Sequence, residues 1–191
     1  MSLNLLHLGF GLRSSNSHEG FRSASVPEFK NSPLFVDTGN FDANGSLTYS
    51  LETYWRKGPF WLGGEYVLTD MDAPAVGNPD FSGFHVTASW ILTGEMRGYN
   101  HKSGVFNPIR VAKSVDQGGV GAWEIAARWS EVDLTDQLAT GGEMKIFSLG
   151  LNWFLTQEFN VGLNYRYINL DRFGVKGRAS GINTRITVFL L

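Results

Sequence analysis

Arg56, Arg128, Arg166 and Arg185, with His85, each sit inside a stretch where apolar and polar residues alternate, and each falls on the polar parity. Glu52, Glu65 and Glu124 share that parity. Such a set suits a chemistry in which no bond is broken. Fixed charges that face water across a wall act as an electrostatic filter, and fixed Arg favours anions. In a narrow interior the same groups would instead pair with one another, four Arg against three Glu, so ion-pathway lining and structural pairing stand as equal readings. A second basic set, Arg97, Lys102, Arg110 and Lys113, lies in residues 94–119, which show no sustained period. It fits either a basic constriction or a solvated loop. His85 stands alone on its side, and a hydrogen-bonded structural histidine is the simpler account. Asp70, Asp72 and Asp80 in an outside loop could hold a divalent cation or bridge lipopolysaccharide, although carboxylate-rich loops are ordinarily just solvated.

Other chemistries find no support. There is no Gly-x-Ser-x-Gly elbow and no His-Glu-x-x-His pair, so no enzyme is expected. Gly119-Val-Gly121 opens a strand rather than a helix and lacks the geometry of a phosphate cradle. Cysteine is absent, which removes disulfides and thiolate metal sites; no cofactor and no metal are expected. A formal charge of −2 gives no general case for nucleic acid. No apolar run approaches the length of a transmembrane helix.

The element that must position these charges is best seen in Gly121-Ala-Trp-Glu-Ile-Ala-Ala-Arg-Trp-Ser130. Trp123, Ile125, Ala127 and Trp129 fall on one side; Glu124, Ala126, Arg128 and Ser130 fall on the other. A Trp near each end of an apolar face is the pattern of a strand that crosses a bilayer with aromatic rings at both headgroup levels. The same alternation predicts strands over 3–13, 46–57, 60–70, 81–93, 121–134, about 147–155, 159–167 and about 182–190. Connections are expected over 14–45 (a long loop closed by an Asn44-Gly45 turn), 57–59, 71–80, 94–119, 135–142, 156–158 and 171–179. The fold expected is all-β: an antiparallel transmembrane barrel with about eight strands present, in a single domain over 1–191. Placing the short turns at 57–59 and 156–158 on the periplasmic side puts Trp55, Phe60, Trp90, Trp123, Trp153 and Phe159 at one rim. Tyr66, Phe84, Trp129, Phe147 and Tyr167 then lie at the other. The aromatic girdle expected therefore includes Trp55, Trp90, Trp123, Trp129, Trp153 and Tyr167. The long connection over 94–119 falls on the periplasmic side and is expected to fold into the barrel and narrow it.

Several words of the chain resemble the phosphate-selective porin O and P family of Gram-negative outer membranes. They are Phe81-Ser-Gly-Phe84, Ile91-Leu-Thr-Gly-Glu95, Gly121-Ala-Trp-Glu-Ile-Ala-Ala-Arg-Trp-Ser130 with Asp133-Leu134, Gly141-Gly142, and Ser148-Leu-Gly-Leu-Asn-Trp-Phe-Leu155 followed by Asn164-Tyr165. His7-Leu-Gly9 also fits. The resemblance implies half of a sixteen-stranded porin, the C-terminal half, that forms a homotrimer in the outer membrane and passes small anions such as phosphate. Its partners would be outer-membrane lipid, lipopolysaccharide and those anions. The chain departs from the family pattern in its number of strands, in lacking a dense basic ladder, and in ending Val188-Phe-Leu-Leu191 rather than on an aromatic residue. The alternative expectation is a small closed eight-stranded barrel with a structural or adhesive role and no open channel.

Overall fold

A computed structural model describes residues 3–16, 20–29 and 31–189. The chain is all-β, and eight long strands form one sheet: β1 (Asn4–Asn16), β2 (Gly45–Lys57), β3 (Phe60–Asp72), β4 (Asp80–Ile91), β5 (Ala122–Asp136), β6 (Ala139–Phe154), β7 (Phe159–Arg172) and β8 (Val175–Val188). Each pairs antiparallel with the next along the chain. The sheet is open: β1 and β8 are its two edges and do not pair with each other. Strand lengths of 12 to 16 residues exceed the roughly 9–11 that a tilted strand needs to cross a bilayer. The Leu190 expected in the last strand lies outside the described residues.

Strict alternation makes the two faces of this sheet unlike. One face is bare and apolar, carrying Leu8, Leu51, Leu62, Val86, Ile125, Leu149, Leu163 and Ile182, all exposed. The opposite face is covered by the two long connections. Residues 20–29 and 31–44 lay Pro27 and Val36, both fully buried, onto it. Val36 packs with Met71, Ala73, Phe81, Leu134, Met144, Ile146 and Ile168, and Phe21, Phe29, Phe35 and Phe41 close over them. These inward residues form an apolar core on the parity that carries charge elsewhere. From the opposite rim, residues 92–121 bring Ile109 against Ile91 and Ala122. Their Tyr99–Asn100 and Val105–Phe106 ladder sits over Tyr54 and Trp61.

Several boundaries differ from the sequence expectation. Residues 14–45 are not a single excursion: β1 runs on to Asn16, and the described residues 20–29 and 31–44 fold onto the covered face with their own Ala24–Ser25 and Val36–Asp37 ladder. The spaced Phe residues that fasten it were visible but carried no period. Asn44-Gly45 is not a turn. Neither residue has positive φ; Asn44 N–H donates to Asp72 O at 2.7 Å, and Gly45 begins β2. Glycine is required there by close approach, since a Cβ would lie 2.7 Å from Ser15 O. The expected loops at 135–142 and 171–179 contract to reversals at Gln137-Leu138 and Phe173-Gly174, where Gln137, Phe173 and Gly174 take the left-handed backbone that twisted hairpins need. Gly141 and Gly142 instead lie in the irregular register between Thr140 and Glu143 of β6.

Candidate functional site

The covered face carries the charges that meet the folded-in connections, and two clusters of them hold arginine. Toward the rim where β5 meets β6, Glu28 from the first long connection reaches the sheet. Its Oε1 accepts from Arg128 Nε at 3.0 Å and from Ser130 Oγ at 2.9 Å. Its Oε2 accepts from Ser148 Oγ at 3.4 Å and lies 3.5 Å from Arg166 Nε. Arg128 also donates to Thr87 Oγ1 at 3.2 Å, and Arg166 donates to Asn183 Oδ1 and lies over the Phe29 ring at 4.9 Å. Strand register explains the convergence: Arg128 and Ser148 are Cα partners across β5 and β6, and Ser148 and Arg166 are partners across β6 and β7. Alternation then aims all three at one point on one face. A cavity of about 190 Å³ adjoins Glu28, lined in part by His85, Glu65, Arg128 and Ser130.

Toward the other rim, Arg97 of the second connection meets Glu124 of β5 at 2.5 Å. Glu124 is 1% exposed and also accepts from Asn152 Nδ2 at 3.1 Å. Burial of a carboxylate is costly unless it is paired and hydrogen-bonded, and both conditions are met here. Arg56 is buried as well and donates to the Arg97 backbone carbonyl. The Arg97 guanidinium lies 6.0 Å from the Trp61 ring centre, and Trp61 stacks on Tyr54. Further along the face His7 Nδ1 meets the Tyr99 hydroxyl at 2.6 Å and Nε2 meets Glu52 Oε1 at 2.8 Å. The Tyr54 hydroxyl donates to Glu65.

The structure thus brings Arg128 and Arg166 together through Glu28, and joins Arg56 to Arg97, which in turn pairs with Glu124. It separates the others. Arg185 is exposed on edge strand β8, and Lys102, Arg110 and Lys113 are exposed on the second connection, apart from Arg97. His85 is half-buried on the covered face beside the Glu28 cavity. Asp70 and Asp80 are Cα partners on the bare parity where β3 meets β4, and Asp72 accepts from Asn44 Nδ2 at 3.2 Å.

The six expected girdle aromatics are all on the bare face. Trp55 and Trp90 are exposed near one rim, where Trp90 stacks on Phe60 with centroids 5.3 Å apart. Trp123 and Trp153 stack at 5.0 Å on the same rim, and both indole N–H groups donate to Val120 O. An amphipathic ring with a satisfied polar tip suits a headgroup boundary. Trp129 and Tyr167 flank Phe147 nearer the other rim, each its Cα partner.

Sequence reasoning missed Glu28 and Tyr99. Glu28 lies in a stretch without alternation, and the only hint is its place between Pro27 and Phe29 in a polar segment unusually rich in Phe.

Comparison with known proteins is consistent with this two-faced sheet. A family model described as phosphate-selective porin O and P matches residues 16–185. An uncharacterised protein of Caulobacter vibrioides is 26% identical over 166 residues, covering 84% of this chain and 33% of the relative. A Pseudomonas aeruginosa protein named Porin O is 23% identical over 135 residues, 65% of this chain and 30% of the relative. The chain spans about a third of the length of these curated relatives.

Proposed function

Because this chain belongs to the phosphate-selective porin O and P family, we propose that its eight strands are a stretch of the wall of an outer-membrane porin through which small anions diffuse passively. The observation that carries the reading is the opposition of the two faces. The bare face offers aliphatic side chains between aromatic rings, as a lipid-facing surface requires. The other face offers Arg56, Arg128 and Arg166 beneath two folded-in connections, the second of which adds Arg97. No catalytic group is needed: fixed cations with polar neighbours lower the barrier for an anion moving down its gradient.

The open edges support a larger barrel. An unpaired strand in lipid leaves a row of backbone groups without partners, so β1 and β8 each call for a pairing partner, which we read as a further strand of a larger wall rather than closure of β1 on β8. We infer a sixteen-stranded wall of which these strands are half. It sits in the outer membrane of a Gram-negative bacterium as a homotrimer, with lipopolysaccharide around the rim that carries Asp70, Asp80, Lys145 and Lys176. Phosphate is the anion the family description favours. The test is single-channel recording in planar bilayers. A step conductance with anion preference is expected; a folded, inserted protein that conducts nothing would refute the channel.

A further inference from the structure

We propose that Arg128, Arg166, Ser130 and Ser148 form an oxyanion-binding site which the chain's own Glu28 carboxylate occupies as a tethered ligand, and that a small tetrahedral oxyanion binds there by displacing it. The proposal rests on the reading of this face as an anion pathway and adds a defined site and an internal competitor to it. Glu28 is received much as a free anion would be: the Arg128 Nε–H and two hydroxyls donate to its two oxygens, and the Arg166 guanidinium lies 3.5 Å away as a second cation. The donors come from three strands, whereas the acceptor comes from a connection, so the donor set is fixed by sheet register independently of its occupant.

The fit is incomplete on the side of Arg166. Its Nε is buried and makes no hydrogen bond, lying 3.5 Å from Oε2. A two-oxygen planar group does not reach all the donors well, whereas an oxyanion with oxygens at tetrahedral corners presents more acceptors to the same cluster. Glu28 is held in a left-handed backbone, φ 59°, where a residue with a Cβ is disfavoured. That conformation opposes the docked state and favours release. Space for the incoming group is at hand in the adjoining cavity of about 190 Å³. The other two carboxylates on that cavity are already engaged, Glu65 by the Tyr54 hydroxyl and Glu131 by Lys145 at 3.3 Å.

A tethered carboxylate lowers the apparent affinity for a free anion to the fraction of chains in which the site stands vacant, so removing its charge raises apparent affinity by the reciprocal of that fraction. The experiment is titration calorimetry of the full chain, folded in detergent micelles, with inorganic phosphate. Glu28→Gln should bind about tenfold or more tightly than the wild type, and adding Arg166→Ala should abolish that gain. In the wild type, phosphate but not chloride at equal ionic strength should speed hydrogen exchange over residues 25–29. A folded Glu28→Gln with unchanged affinity overturns the proposal. If that variant does not fold, wild-type exchange that ignores phosphate overturns it. The channel reading is judged separately: a binding gain without conductance leaves the site standing and refutes the pore, and conductance without a binding gain does the reverse.

Discussion

Leu149→Arg places a cation at the middle of the apolar face, and its cost can be worked from the register. Leu149 lies on β6 four residues from Trp153 and four from Lys145, the first outward charge toward the opposite rim. The nine residues from 145 to 153 match the roughly 9–11 that span a bilayer in a tilted strand, so Leu149 marks the midplane. It is 47% exposed on the bare face. Arg at that depth costs about 2–4 kcal/mol, which is roughly a thirtyfold to several-hundredfold loss in the folded-to-unfolded ratio. Ile125→Arg, whose Cα partner Leu151 is two residues nearer Trp153, should cost less, because the penalty declines toward the interface. The control is Ala126→Arg. Ala126 pairs with Gly150 at the same depth but projects to the covered face, and its penalty should be well below that of Leu149→Arg. Equilibrium urea unfolding in phosphocholine vesicles, followed by tryptophan fluorescence, measures all three. Equal losses for Leu149→Arg and Ala126→Arg, or no dependence on depth, would refute the assignment of the apolar face to lipid.

Other outcomes follow from the covered face. Arg128→Ala leaves Glu28 with one fewer cation, so the anion preference of the conductance should fall, read as a shift of reversal potential in a salt gradient; an unchanged potential would remove Arg128 from the pathway. Val36→Asp puts a carboxylate into the apolar core under Phe41 and Phe81, at a cost above ~2 kcal/mol; protease sensitivity of residues 20–44 should rise while the eight-stranded sheet persists. Asp37 is hydrogen-bonded to Arg22 through both oxygens and accepts from the Gly39 amide, and these contacts hold its carboxyl well below the ordinary range. A depressed folded value means that its contribution is complete above the unfolded value near ~3.9 and disappears as pH falls through the folded one. Protection of the Ala24–Ser25 and Val36–Asp37 ladder should therefore hold from neutral pH to about 4 and fail below that range. Arg22→Ala should move the failure upward, and a loss near neutrality would contradict the pairing.

Strand positions and facing were legible because alternation is a local rule. Trp123, Ile125 and Trp129 declare one side of β5 with no knowledge of their neighbours, and Lys57-Gly58-Pro59 announces a reversal on its own. Short turns were harder. Phe173 and Gln137 adopt positive φ without being the residues that usually advertise it, so the sequence signals longer loops at both reversals than the structure has. The two folded-in connections were the least legible. Val36 has no periodic company, and its partners Met71, Leu134 and Ile168 are distributed over separate strands. Glu28 finds Arg128 one hundred residues away in sequence. The charges on the polar parity could be enumerated, but which carboxylate answers which guanidinium depends on loops that only tertiary packing places.

The order of the sheet is the order of the chain, each ribbon hydrogen-bonded to the one made just before and just after it. A wall with that meandering plan can be laid down hairpin by hairpin, every addition offering a fresh rail of amide and carbonyl groups to the next, with no segment waiting on a distant mate. The two long inserts are the exception to this neighbourly scheme. Glu28 has no complete cradle until β5, β6 and β7 stand side by side, so that insert can settle only after the masonry around it is in place.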